Sequence, residues 1–291
     1  MYNLDLTNWD SSDIKYQVSN FPDGQQSITL EKFTFTQRLS SILIKSRLNS
    51  FRDLELIICT NQTLREMGIE DVNLYVPYFL GARSDRKFVE GSVNYLKNVI
   101  CPIINSQSFN KVIVLDPHSD VLEACLDNFV KINNFDLVEF TLNQIGNQNI
   151  TLVSPDAGAF KKIFDVAKHF GIENIITATK VRDLKTGQIL HTDVPNIDMH
   201  NDIKYVIVDD ICDGGRTFIE IAKTINNVRP TAKIYLVVTH GIFSAGYTEL
   251  GKYFEAIYTT NSVKNVGDTE ADSYGKLHPT KVKQLNVFNK Q

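Results

Sequence analysis

Three carboxylates, two glycines, an arginine and a threonine fall within "DDICDGGRT", Asp209 to Thr217, directly after the apolar run Tyr205 to Val208. Paired glycines let backbone N–H groups close around an anion without Cβ clashes. The first turn of a helix adds unpaired N–H groups at the positive end of its peptide dipoles. A phosphate suits that place. Asp209 and Asp210 would repel it at contact distance, so they are expected to face sugar hydroxyls or a metal ion, and the stretch reads as a sugar-phosphate site. A second concentration of charge, "VPYFLGARSDRK", sets Arg83, Asp85, Arg86 and Lys87 beside an aromatic pair after another apolar run. His118 and Asp156 each follow a strand-like run, and Lys180 and Arg182 sit in "TATKVRDLKTGQIL", which reads as a polar loop containing Gly187.

Such residues need a scaffold. Strand-like runs recur at "LELIICT", "NLYVPYF", "KVIVLD", "NITLVS", "NIITAT", "YVIVDD", "KIYLVV" and "EAIYTT", with helix-patterned or polar segments between many of them, which is α/β alternation. Ala159, Phe160, Ile163, Phe164, Ala167 and Phe170 make one helical stripe, and Gly171 stands where a helix would stop. Phe218, Ile219, Ile221, Ala222 and Ile225 predict a helix directly after the acidic loop. Arg38, Lys45 and Arg52 recur at every seventh position, with Leu39, Ile42 and Leu43 available for a buried stripe, so a surface helix is expected within Thr34 to Leu54. The polar stretch "NQIGNQN", Asn143 to Asn149, is the expected domain boundary.

Composition bounds the answer. The 291 residues are 43% hydrophobic and 22% charged, which predicts a globular protein of two domains. A net charge of −4 without blocks of like charge gives no footprint for nucleic acid or a membrane surface. The four cysteines form no C-x-x-C pair, against a zinc site or a disulfide framework and in favour of a reducing cytoplasm. No export signal or membrane-spanning run is read at the sequence level.

The loop Asp209–Thr217 resembles the 5-phosphoribosyl-binding signature of the type I phosphoribosyltransferase fold, in which two acidic residues contact ribose hydroxyls and the following loop wraps the 5-phosphate. "VPYFLGARSDRK" closely resembles the ATP-binding segment of ribose-phosphate diphosphokinases. Further segments match that family in order: "NFPDGQQSI" its adenine-binding hairpin, "VLDPHSD" its metal-binding histidine loop, "VSPDAGAFKKI" the loop with a metal-ligating aspartate, "TKVR" its flexible catalytic loop, and "VVTHGIFS" and "IYTTNSV" two late strands. The resemblance implies an α/β chain of two similar domains of the type I phosphoribosyltransferase fold, residues 1–145 and 146–291, each a mainly parallel sheet flanked by helices. It implies Mg²⁺-dependent transfer of the diphosphoryl group of ATP to O1 of ribose 5-phosphate, giving phosphoribosyl diphosphate and AMP, in a cytoplasmic homo-oligomer of at least two copies.

Residue by residue, the resemblance gives Phe21, Asp23 and Gln25 contacts to adenine from a neighbouring subunit, and lays Arg83, Ser84, Asp85 and His118 along the ATP. His118 and Asp156 are the implied Mg²⁺ ligands, a believable pair once phosphate oxygens and waters complete the shell. Lys180 and Arg182 are the implied catalytic cations, lowered onto the transferring phosphates to neutralise transition-state charge. Asp209, Asp210, Asp213, Gly214, Gly215, Arg216 and Thr217 are the implied ribose 5-phosphate residues, while His240 and Ser244 read as structural or subunit-contact residues.

This sequence also departs from the family. Gln25 and Ser84 stand where the family usually has glutamate and glutamine, and Arg216 replaces a glycine of the phosphate loop. A cradle with one hydroxyl fewer and one cation more keeps open a larger acceptor with an esterified 5-phosphate, such as ADP-ribose. A base phosphoribosyltransferase and a non-catalytic regulator or scaffold of a homologous synthase stay as alternatives. Lys180 and Arg182 speak against the non-catalytic readings, since a binding module has no need of them. No match to the family's basic regulatory segment is found between the hairpin and "LELIICT", so control by ADP and phosphate at a second site is not expected.

Overall fold

In the computed structural model, which describes residues 1–31, 41–182, 189–197, 202–266 and 281–289 (backbone only at 180–182 and 189–191), seven of the eight strand-like runs are strands. The first unit, Met1–Asn133 with Val287–Gln291, contains β1 (Tyr2–Asp5), β2 (Tyr16–Asn20), β3 (Gln26–Leu30), β4 (Ile42–Lys45), β5 (Val72–Tyr75), β6 (Val112–Leu115) and β7 (Phe129–Ile132). Its helices are α1 (Phe51–Glu66), α2 (Cys101–Asn105) and α3 (Val121–Cys125). The sheet is parallel in the order β1-β4-β5-β6-β7, while β2 and β3 pair as a separate antiparallel hairpin.

Two readings of this unit are corrected. "LELIICT" is helical, inside α1, because Ser50 and Asp53 form a capping box and Leu54, Ile57 and Leu64 fall on one buried face. An apolar run of that length does not by itself separate strand from helix. The surface helix expected within Thr34 to Leu54 is instead the buried strand β4 followed by the start of α1. Lys45 is only 4% exposed and donates to the Phe288 carbonyl at 2.9 Å, so it shares no solvated face with the exposed Arg52. Arg38 lies outside the described residues.

The second unit, Asn134–Asn286, contains α4 (Phe135–Ile145), β8 (Ile150–Ser154), α5 (Phe160–Phe170), β9 (Asn174–Thr177), β10 (Thr179–Arg182), β11 (Ile189–Asp193) and β12 (Lys204–Cys212). It continues through α6 (Arg216–Val228), β13 (Lys233–Gly241), α7 (Thr248–Gly251), β14 (Ala256–Thr260) and β15 (Val282–Leu285). Its sheet, in the order β15-β14-β13-β12-β8-β9, is also parallel. The units divide between Asn133 and Asn134, ahead of α4, whereas the sequence placed the boundary after it. Leu137, Val138 and Leu142 of α4 pack with Leu152, Ile163 and Val206, which binds that helix to the second sheet. Gly171 ends α5 in the left-handed conformation, as expected. The predicted α5 stripe is only partly buried: Ile163 and Ala167 are inside, whereas Phe160 and Phe164 are exposed and lie 6.3 Å apart, ring to ring. Val166 takes the inner position that the aromatic spacing had suggested for them. Among the described residues no helix is long and apolar enough to cross a membrane.

Candidate active site

Strand order marks a candidate site in the second unit. From β8 the chain passes through α5 to β9 on one side, then returns to β12 on the other side of β8 and proceeds outward to β13. Where connections leave adjacent parallel strands in opposite directions, a crevice opens beyond their carboxyl ends, and ligands bind there. Asp156 follows β8, and Asp209 to Thr217 end β12 and begin α6.

β12 runs further than the sequence indicated. Its pairing with β8 reaches Ile207 opposite Val153, but its pairing with β13 continues to Cys212 opposite Gly241. Asp209 and Asp210 therefore lie on the strand itself, in the overhang past β8, rather than in a loop. Asp210 is 5% exposed and pairs with Lys162 of α5 at 3.5 Å, while its N–H donates to Asp209 Oδ1 at 2.9 Å. Burial first, then the neighbouring Asp210 carboxylate, with Asp156 a lesser cause, pushes the Asp209 carboxyl well above its ordinary pKa. A cation or hydroxyl donor arriving there would relieve that repulsion. The Asp156 carboxylate accepts from the Gly158 and Ala159 N–H groups at 3.0 and 3.2 Å, which fixes the entry to α5.

The turn after β12 has the shape of an anion cradle. Gly215 takes φ 81° at the start of α6, and a Cβ there would lie 2.8 Å from Leu250 Cδ2, so any side chain would be strained and would displace Leu250. No side chain caps the helix from that position. Gly214 and Arg216 are exposed, and Thr217 is half-buried. The segment following β13 holds the turn in place: the N–H groups of Ile242 and Phe243 donate to the Cys212 carbonyl at 2.9 and 3.1 Å, and that of Ser244 to the Asp213 carbonyl at 3.2 Å. His240 is buried on β13 with Nδ1 2.9 Å from Ser262 Oγ, within the core of its own unit.

Lys180 and Arg182 do not lie in a loop. They belong to β10, which pairs antiparallel with β11, Lys180 opposite Thr192 and Arg182 opposite Ile189. The Thr224 hydroxyl of α6 donates to the Thr192 carbonyl at 3.2 Å and ties this ribbon to the helix that starts at the cradle. Gly187 lies outside the described residues.

In the first unit, Phe21, Asp23 and Gln25 form the exposed tip of the β2–β3 hairpin, closed by Phe21 N–H to Gln25 O at 2.8 Å. The hairpin is anchored to α1 by the buried Gln26, whose amide donates to Arg52 O at 2.6 Å. Arg83, Ser84 and Asp85 follow β5, and the exposed His118 follows β6, so they lie at the same end of neighbouring strands. Gly81 at φ 80° packs against Tyr95, where a Cβ would come within 2.6 Å, and the Ser84 N–H donates to Gly81 O at 2.8 Å. Arg86 sits over the Phe88 ring at 5.5 Å. The residues thus form two groups, one per unit, with His118 in the first and Asp156 in the second. Among the described residues no three His, Cys, Asp or Glu side chains gather as a metal cluster. Sequence reasoning missed Lys162, because its partner Asp210 is 48 positions away, and assigned Ser244 no work at this turn.

The comparisons agree with this geometry. Residues 127–267 match the phosphoribosyl transferase domain family model. The ribose-phosphate pyrophosphokinase of Marinomonas sp. (strain MWYL1) is 28% identical over 282 residues, covering 93% of this chain and 83% of the relative. That of Mycoplasmopsis pulmonis (strain UAB CTIP) is 24% identical over 252 residues, covering 84% and 75%. The crystal structure of phosphoribosylpyrophosphate synthetase from Mycobacterium smegmatis superposes with a TM-score of 0.75 at 13% identity, covering 96% of this chain and 88% of that one. The fold is that of the type I phosphoribosyltransferases. Within that fold, the relatives named above that match most of the chain are ribose-phosphate pyrophosphokinases.

Proposed function

We propose that the chain is a ribose-phosphate diphosphokinase, which transfers the β,γ-diphosphoryl group of ATP to O1 of ribose 5-phosphate and releases AMP. The observation that carries this reading is the stretch from Asp209 to Thr217, where a half-buried and a buried aspartate on the strand end are followed by a glycine turn at an open helix start. The first-turn N–H groups of α6, with Gly214, Gly215, Arg216 and Thr217, hold the 5-phosphate, and Asp209 and Asp210 accept from ribose hydroxyls. Asp213 borders the cradle. Arg83, Ser84 and Asp85 bind ATP, with adenine against Phe21, Asp23 and Gln25 of a second copy, so a homo-oligomer in the cytoplasm is part of the reading. Lys180 and Arg182 are the cations for the phosphates in transfer, and no side-chain nucleophile is needed. Holding two reactants in line contributes several kcal/mol toward lowering the barrier.

The donor set suits Mg²⁺. Asp156 offers carboxylate oxygen, the ligand type that ion prefers, with room left for waters and phosphate oxygens, and the repulsion around Asp209 favours a cation nearby; His118 is the further ligand that the family resemblance implies. Bound Mg²⁺ would offset charge on the triphosphate.

A second reading rests on Arg216. Its exposed position in the cradle suits a 5-phosphate that continues into a further group, as in ADP-ribose. Incubation with Mg-ATP and either ribose 5-phosphate or ADP-ribose tests both: AMP is expected only when acceptor and Mg²⁺ are present together, and the acceptor that supports it identifies the substrate. Release of ADP would sink both readings, since it marks ordinary kinase chemistry.

A further inference from the structure

We infer that Ser244 is a positioning residue for the acceptor, acting by holding the Asp213 carboxylate; the inference rests on the reading of the Cys212–Thr217 turn as the sugar-phosphate site. Asp213 poses a problem that Asp209 and Asp210 do not. It stands past the end of β12, next to Gly214, where its carboxylate is itself an anion beside the N–H groups that the phosphate requires. An Asp so close before a helix readily folds its side chain onto the first-turn N–H groups, as caps and Asx turns do. A bound phosphate would then have to displace it.

The Ser244 hydroxyl donates to Asp213 Oδ1 at 2.6 Å, and the Ser244 N–H donates to the Asp213 carbonyl at 3.2 Å, so side chain and backbone are gripped by one residue 31 positions away. The segment is shaped to deliver that hydroxyl. Phe243 is buried and takes φ 48°, a left-handed conformation unfavourable for an aromatic residue, and its ring fills the space where Gly241 lacks a Cβ. Gly246 N–H to Phe243 O at 3.0 Å closes the turn. Ser244 itself is exposed, so packing does not account for its contact. A strained, bonded segment that ends in an exposed hydroxyl on a carboxylate orients that carboxylate.

The test is steady-state kinetics on Ser244→Ala and Ser244→Thr in the full chain. A hydrogen bond to a charged group predicts that the alanine variant raises KM for the sugar phosphate about tenfold. KM for ATP should stay unchanged and kcat within about twofold, and threonine should restore binding. In an Asp213→Ala background, removing Ser244 should add nothing. Equal sugar-phosphate KM values for wild type and Ser244→Ala, matching losses for both substrates, or an undiminished loss in the Asp213→Ala background would each overturn the inference. Should the wild type form no AMP, the proposed activity fails by itself. Calorimetric titration of ribose 5-phosphate into wild type and Ser244→Ala then decides the role of Ser244: weaker binding by the variant supports it, and equal binding, or none by either, overturns it.

Discussion

At the scale of residues, this site holds a conflict in place. Asp209 sits beside Asp210 on a buried strand end, and its pKa is raised by burial and by that neighbour, while Lys162 stands 3.5 Å from Asp210. A carboxyl whose folded pKa exceeds its unfolded value adds stability that is complete below the unfolded pKa and is lost as pH rises through the folded one. Near neutrality Asp209 therefore weakens the fold that carries it. Asp209→Asn is expected to melt higher than wild type at pH 7 in buffer free of Mg²⁺ and sugar phosphate, with the gap closing below about pH 4, where an ordinary aspartate protonates. Calorimetric melting across that range checks it; an asparagine variant that melts lower at neutral pH would mean that the carboxylate is stabilised in place. Activity should fall in the same variant, because stability and function pull apart at such a site.

Elements decide which of these residues can meet. β12 and β13 overrun β8, which puts Asp209 and Asp210 on rigid strand instead of loop, and the end of β13 carries the segment that braces the cradle. Gly241→Ala would set a methyl group inside the Phe243 ring. The brace must then shift, and sugar-phosphate KM is expected to rise while ATP KM holds; equal change in both would show a general loss of structure. Local signals were legible where they were dense. The Gly215 turn and the α6 stripe are each specified by residues within a few positions. They failed where one pattern serves two structures: "LELIICT" is as apolar as a strand, and only the cap at Ser50 and Asp53 marks it as helix. β10 and β11 carry polar residues because each has a single partner strand, so their pairing left no hydrophobic alternation to read.

On the scale of the whole chain, the last residues matter more than their position suggests. Val287 and Phe288 return to the first unit and pack with Leu43, Tyr75 and Leu115, and Lys45 Nζ donates to the Phe288 carbonyl at 2.9 Å. Ending the chain at Asn286 would open a cavity and leave a buried ammonium without that acceptor. Losing one large buried aromatic alone costs about 3–5 kcal/mol, so the truncated protein is expected to melt well below the full chain, and an unchanged melting temperature would contradict the role given to the tail. What the sequence by itself determined is local: a glycine turn between a buried strand and an amphipathic helix, cations after β5, and α/β alternation over most of the chain. Those follow from short-range backbone sterics and hydrophobic periodicity, which neighbouring residues set together. Tertiary structure alone decided the strand order that puts Asp156 beside Asp209, the pairing of Lys162 with Asp210, the grip of Ser244 on Asp213 and the burial of Lys45. Each joins residues far apart in the chain, and such contacts depend on how sheets and helices pack, a property of the whole fold that no local pattern carries.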